Sequence, residues 1–316
     1  MGRVRSPLFW VGSSILLAFF VVAALAPLLA PHDPRLPTGR PLAPPTAGHL
    51  LGTNDLGQDV LSQMIYSARS SLIVVGVVTT ISTGLSWLVG LAAGLIRGLE
   101  GPLLAVTDLL LALPHLPLYL LVLTLLGPSR GNLILVLSLL SWPAFARVVR
   151  GIVRRTRSAA YVEASRALGA PDLHIIRRHL APATTEVLPT KLVLTVRFAV
   201  FAEATLAFLG LGGADSVSWG TMLYWAFGDP SLFARPVWPW LVLPPTLAIV
   251  ILILATVWVS TDITEGGRER ARRHKQGQPI GRELNTGQAR SRPRPGDAQD
   301  RLEADRLAHG TRDLGR

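Results

Sequence analysis

The sequence predicts an all-α fold, a polytopic membrane bundle of about six transmembrane helices, and three observations carry that expectation. Charged residues make up 16% of the 316 and apolar ones 49%, with mean hydropathy +0.41. A soluble domain carries about 25% charged residues, so this chain cannot cover a water-exposed surface of ordinary extent. Six runs approach or exceed the roughly 20 apolar residues a bilayer crossing needs: 7–30, 72–96, 103–126, 133–149, 188–211 and 240–259. The basic residues, finally, gather in short stretches beside alternate runs, which is how cytoplasmic loops of membrane proteins are marked. Backbone in hydrocarbon must satisfy its own hydrogen bonds, so runs of this length read as helices.

Taken in order, residues 1–30 read as an N-terminal anchor. Arg3 and Arg5 precede the run and Ala24-Leu25-Ala26 has the look of a signal cleavage site. The run exceeds the 7–15-residue apolar core of a signal peptide, and Pro27 and Pro31 follow the small residues at both cut points. Residues 31–71 form an extracytoplasmic segment rich in Pro and Gly. At its end Val60, Leu61, Met64, Ile65 and Ala68 recur at helical spacing, which predicts a short amphipathic helix lying in the interface.

Residues 72–262 hold the main membrane domain. The second run contains Gly90-Leu-Ala-Ala-Gly94, a small-x-x-x-small pair that permits close helix approach, within this subunit or to a partner. His115, between Pro114 and Pro117, reads as a packed kink residue or one lining a path in the third run, and Trp142-Pro143 interrupts the fourth. The fifth carries Lys191, Arg197 and Glu203. Arg197 and Glu203 lie about 240° apart on a helix wheel, so they cannot pair with each other. A charge inside a span faces a bundle interior or water, which assigns Glu203 and Arg197 to a pathway or subunit interface, while Lys191 reads as a snorkelling group. Asp108 and Asp262 sit near span ends. From 263 to 316 apolar content collapses into a basic tail with 13 Arg/Lys against 8 Asp/Glu, too polar to bury the surface that ordering requires.

Basic residues also set the orientation. With the N-terminus inside, six spans return the C-terminus there. The inside segments then hold Arg3, Arg5, Arg97, the cluster from Arg147 to Lys191 and the tail, against Arg35, Arg40, Arg69, Arg130 and Arg235 outside.

Several chemistries are excluded. With no cysteine there is no disulfide, thiol nucleophile or thiolate metal site. The two lysines follow Thr190 and His274, so no Gly-Lys-[Ser/Thr] phosphate loop exists and the chain does not hydrolyse ATP by itself. His-Glu-x-x-His and Gly-x-Ser-x-Gly are absent, and the seven histidines show no metal-ligand spacing. The chain reads as non-catalytic, with no cofactor and no metal of its own.

The most informative stretch is 158–182. Ser158 to Leu168 reads as a helix, Gly169-Ala170-Pro171 as a break, and Asp172 as the N-cap of a second helix. Tyr161, Ala164 and Leu168 share one face of the first helix. Glycine at the break permits the left-handed backbone of a tight reversal. The product is a compact helical hairpin with small residues where another surface can approach.

Glu163-Ala164-Ser165, Gly169 six positions after the Glu and Pro182 a further 13 on resemble the EAA loop of ABC-importer permeases, Glu-Ala-Ala, three residues, Gly, nine residues, Ile-x-Leu-Pro. Ser165, His179 and Ala181 depart from that pattern. With His49 to Asp59 followed by Leu61 to Arg69, and Glu203 to Gly212 followed by Ser218-Trp219-Gly220, residues 8–262 resemble the C-type permease subunit of dipeptide, oligopeptide and nickel importers. That resemblance implies a type I ABC-importer permease in the cell (inner) membrane. It also implies a second permease as partner, two ATPase subunits that bind ATP and Mg, and an external solute-binding protein. Tyr161, Glu163, Ala164, Ser165, Leu168, Gly169, Pro171 and Pro182 would then form the coupling loop that docks on an ATPase. The competing reading, a stand-alone proton-coupled transporter, calls for inverted repeats and midplane carboxylates; no clear repeat is present and Glu203 is the one deep carboxylate.

Overall fold

The computed structural model describes residues 6–213 and 215–276, with Arg97 and 263–276 by backbone alone. Every named element among the described residues is helical; Thr53 and Asp59 add one isolated antiparallel bridge. The chain divides into two units, one ending at Gly266 and the other beginning at Gly267.

Helix α1 (Pro7–Ala24) starts where Ser6 accepts from the Phe9 amide and Pro7 presets the first turn. It packs into the bundle: a Cβ on Gly12 would lie 2.8 Å from the Ala255 carbonyl, and Phe19 meets Trp219 edge-on at 5.5 Å. Pro27 sits in the short α2 (Ala26–Leu29).

Asp59 caps the next helix by accepting from the Ser62 amide at 2.8 Å and the Ser62 hydroxyl at 2.7 Å. Burial pushes the Asp59 carboxyl up, but these bonds, one from His49 and the charge of His32 hold it below the ordinary carboxylate value. From this cap α3 (Val60–Leu95) runs unbroken for 36 residues, about 54 Å at 1.5 Å per residue. The separate interfacial helix expected at 60–68 is therefore corrected. Val60, Ser62, Ser67 and Ala68 are buried, and no breaker divides them from the second span, so the boundary drawn at 71/72 falls within one helix. Its buried face is rich in small hydroxyl residues, Ser71, Thr79, Ser82 and Ser86 among them, which let neighbouring helices approach closely.

The third run is not one straight helix. Helices α4 (Arg97–Ala112) and α5 (His115–Leu126) meet at 97° across Leu113-Pro114, as proline's missing donor and ring clash require. The fourth run is α6 (Arg130–Leu140) and α7 (Pro143–Arg157), parted at Ser141-Trp142. Side chains take up the carbonyls there: Ser86 Oγ donates to Trp142 O at 3.0 Å and Lys191 Nζ to Ser141 O at 3.3 Å. Lys191 is thus buried beside the Phe145 ring, not snorkelling; a cation already inside the bundle finds an acceptor at the α6–α7 break. On α7, Arg147 pairs with Asp108, Arg150 and Arg154 with Glu100, and Arg157 donates to Leu95 O at the end of α3.

After the hairpin come α11 (Leu188–Phe208), α12 (Trp219–Gly228), α13 (Trp238–Leu241) and α14 (Leu243–Gln276). Helix α12 is too short to span. It opens with a capping box between Ser218 and Thr221 and lies against α11, where a Cβ on Gly220 would meet Ala204 O at 2.6 Å. Among the described residues four stretches qualify as crossings by length and hydropathy, Pro7–Ala24, Val60–Leu95, Arg130–Arg157 and Trp238–Asp262, and the bent α4–α5 pair makes a fifth. Helix α11 has the length, 21 residues, but Lys191, Arg197 and Glu203 lower its apolar content; Lys191 and Glu203 are buried in protein. Helix α14 continues to Gln276, so helical backbone reaches past the 262/263 boundary expected for an unordered tail. Arg and Glu, frequent there, are good helix formers. The remainder of that expected tail lies outside the described residues.

Candidate functional site

The hairpin forms as the residues dictate. Helix α8 (Ala160–Ala167) ends in a Schellman motif: Gly169 adopts φ +82°, its amide donates to Arg166 O at 2.9 Å, and the Ala170 amide reaches Ser165 O at 3.1 Å. Pro171 then caps α9 (Asp172–Ile175), so the N-cap expected at Asp172 moves back one residue, and the Asp172 side chain makes no capping bond. A π-helical turn, Ile176–Leu180, leads into α10 (Ala181–Thr185), with Pro182 in its first turn.

One side of the hairpin is an anchor. Val162, Ile175 and Leu180 are almost completely buried, and with Val149 and Val153 of α7 they form a cluster beneath which lie Trp87, Leu91 and Leu95 of α3. Trp87 Nε1 also donates to Thr184 Oγ1 at 3.0 Å. The other side is open. Tyr161 is 55% exposed, Leu168 89% and Leu173 64%, while Glu163, Ala164, Gly169, Pro171 and Pro182 are exposed and Ser165 half-buried. A rigid base beneath an apolar crest suits a docking element that passes on displacement. His179, where the EAA pattern has Ile, sets its ring 5.5 Å from Tyr161 and 6.2 Å from His174, bridging the arms of the hairpin.

Glu203 and Arg197 part as the helix wheel requires: Arg197 is exposed, whereas Glu203 is buried and accepts from Ser71 Oγ at 3.1 Å across α3 and α11. Of the two readings of Gly90 and Gly94, the geometry shows the contact within this chain. A Cβ on Gly90 would stand 2.6 Å from Ala146 O and Val149 Cβ, and one on Gly94 2.6 Å from Val153 Cγ1. Both glycines serve the α3–α7 packing within this chain. His115 lies at the α4–α5 bend and lines a cavity of about 370 Å³ with Tyr119, Lys191, Thr195 and Phe198. A larger cavity, about 710 Å³, opens at the N-terminal end of α3 among Arg35, Arg69, Arg130 and Asp215. Sequence reasoning missed Val162, Ile175, Leu180 and Trp87; the only signal available was a valine or isoleucine recurring opposite the small-residue face.

With this geometry in place, residues 86–263 match the family described as "Binding-protein-dependent transport system inner membrane component", and residues 4–45 match the N-terminal TM domain of oligopeptide transport permease C. The chain belongs to the binding-protein-dependent transport permease family. Among similar proteins, the dipeptide transport system permease protein DppC of Bacillus subtilis is 37% identical over 225 residues, 69% of each chain. The DppC of Alkalihalophilus pseudofirmus is 32% identical over 254 residues, covering 79% of this chain and 82% of the relative. That of Haemophilus influenzae is 31% identical over 254 residues, 78% and 84%. This permease is accordingly a non-catalytic, multi-pass membrane subunit of an ABC importer, a class that works with ATPase and solute-binding partners. The stand-alone proton-coupled reading falls with that membership.

Proposed function

We propose that this permease forms half of a translocation pathway for peptides, paired with a second, similar permease, and that two ATPase subunits drive it through the hairpin at 158–182. The observation that carries the reading is the two-sidedness of that hairpin, anchored by Val162, Ile175 and Leu180 and presenting Tyr161, Ala164 and Leu168 outward. An element fixed at its base moves as a unit when its crest is pushed, and a bistable bundle converts such a push into alternating access. ATP and Mg bind the partner ATPases in this scheme. Glu203 and Arg197 serve the pathway or the face toward the second permease. The names of the relatives, dipeptide permeases, support peptide cargo. The basic cluster from Arg147 to Lys191 supports an inner-membrane orientation with both termini cytoplasmic.

The test is co-purification with the partner subunits and reconstitution, followed by ATP-dependent uptake across a panel of peptides and metal chelates. Since the chain has no cysteine, a single Leu168→Cys variant reports topology. It should react with a membrane-impermeant maleimide only in inside-out vesicles; labelling from outside intact cells rejects the scheme.

A further inference from the structure

We propose that His32, His49 and Asp59 form a binding site for one divalent transition cation of the zinc type, clamping the segment before α3 onto the N-terminus of that helix. The three residues come from separate places: His32 follows α2, His49 lies in the loop, and Asp59 caps α3. Their candidate ligand atoms all lie within 4.8 Å of one another. His49 Nδ1 stands 3.0 Å from Asp59 Oδ1, and His32 Nδ1 stands 3.9 Å from Asp59 Oδ2. Tetrahedral zinc with bonds of about 2.0–2.1 Å separates its ligand atoms by about 3.3 Å, and each imidazole stands within about 0.6 Å of that separation from its own oxygen of the carboxylate. Two imidazoles and one carboxylate are a donor set suited to zinc, cobalt, nickel or copper and poorly suited to calcium or magnesium.

A hydrogen-bonded His49–Asp59 pair capping α3 would account for two of the residues but not the third. His32 Nδ1 is buried without a hydrogen-bond partner, and it faces the carboxylate instead of turning to solvent. The surroundings hold all three groups in place, as the outer shell of a metal site does. Ser62 Oγ accepts from the His32 amide at 3.0 Å and donates to Asp59 Oδ2 at 2.7 Å, so one hydroxyl positions two ligands. Gly39 lets the His49 ring approach so closely that a Cβ there would lie 2.7 Å from Nε2, which leaves Nδ1 toward Asp59. The His32 and His49 rings lie 4.9 Å apart and tilted by 34°. Asp59 is 1% exposed, so a bound cation would be held away from bulk water. No step of the transport scheme uses these residues.

The experiment uses the full-length chain without a polyhistidine tag, in detergent, stripped of metal and titrated with Co²⁺ and then Zn²⁺. Expected are one Co²⁺ per chain with the visible absorption of a low-coordinate, nitrogen-ligated ion, its displacement by Zn²⁺, and a higher melting temperature with Zn²⁺. His32→Gln and His49→Gln should each weaken Co²⁺ binding at least about tenfold and abolish the thermal shift, whereas His174→Gln/His179→Gln should change neither. Absence of stoichiometric binding, or a band that survives His32→Gln and vanishes in the 174/179 double variant, overturns the site. Should the 32 and 49 variants fold poorly, X-ray absorption of the Zn²⁺ adduct in the 174/179 background decides: two imidazoles per zinc support the proposal, and one or none refutes it.

Discussion

Gly90 and Val149 stand so close that a Cβ on residue 90 would lie 2.6 Å from that of Val149. One turn further along α3, Gly94 meets Val153 in the same way. Besides valine methyls, the obstacles include the β-carbons of both valines and, at residue 90, the Ala146 carbonyl, which cannot swing aside. Overpacking of this kind costs about 1–3 kcal/mol, so Gly90→Ala and Gly94→Ala should each lower the melting temperature of the purified permease. Gly76 and Gly84, on the same helix with open space around them, supply the control. There alanine removes the backbone freedom of glycine, worth about 0.5–1 kcal/mol within a helix, and should leave stability unchanged or raised. Equal losses at all four sites would reject the packing account.

Gly169 meets nothing within 4 Å where a Cβ would go, so its constraint is the φ of +82° alone. An L-residue in left-handed backbone costs about 1–2 kcal/mol, and a β-branched one strains it further. Gly169→Val should reduce ATP-dependent uptake to background while the subunits still co-purify. Gly169→Asn, which tolerates this conformation, should retain most of it. Full uptake by the valine variant would remove the hairpin turn from the mechanism.

Glu203 and Ser71 test the bundle interior. Glu203→Gln keeps an acceptor for the Ser71 hydroxyl; Glu203→Leu strands that donor in the interior, at about 1–3 kcal/mol. Uptake should fall in both variants, but only the leucine variant should also unfold at a lower temperature. A glutamine variant with wild-type uptake would show that the carboxylate's charge is not used in transport.

The two sides of the hairpin should separate stability from coupling. Ile175→Ala empties a fully buried site and should cost about 2–5 kcal/mol, read as a lower melting temperature and faster proteolysis within 158–182. Leu168→Asp alters a side chain that is 89% exposed. It should leave melting unchanged, yet weaken co-purification with the ATPase subunits severalfold. If both variants behaved alike, the division into anchor and crest would be wrong.

Much of this was legible one residue at a time. Proline announces its own consequences, so the break at Trp142-Pro143 and a kink at Pro114 could be read directly, although the 97° of the latter could not. The positive φ of Gly169 follows from the chemistry of a helix end. The partition of Arg197 from Glu203 follows from helix period. Less legible was where α3 begins: the amphipathic pattern at 60–68 is the same whether that stretch lies on the membrane or opens a long helix, and only the packing against Met222 and Trp219 separates the two.

What the sequence determined alone is therefore what depends on local chemistry: apolar runs that must be helical in lipid, the breaks, and a hairpin whose turn needs glycine. Tertiary structure decided the matters in which distant segments compete for one partner. It assigned Gly90 and Gly94 to α7 instead of a second subunit, tied Lys191 to the Ser141 carbonyl at the α6–α7 break, and brought His32 and His49, 17 positions apart, onto the cap of α3. Spacing along the chain carries no distance information once the path between two residues is an irregular loop, and so those meetings exist only in the folded molecule.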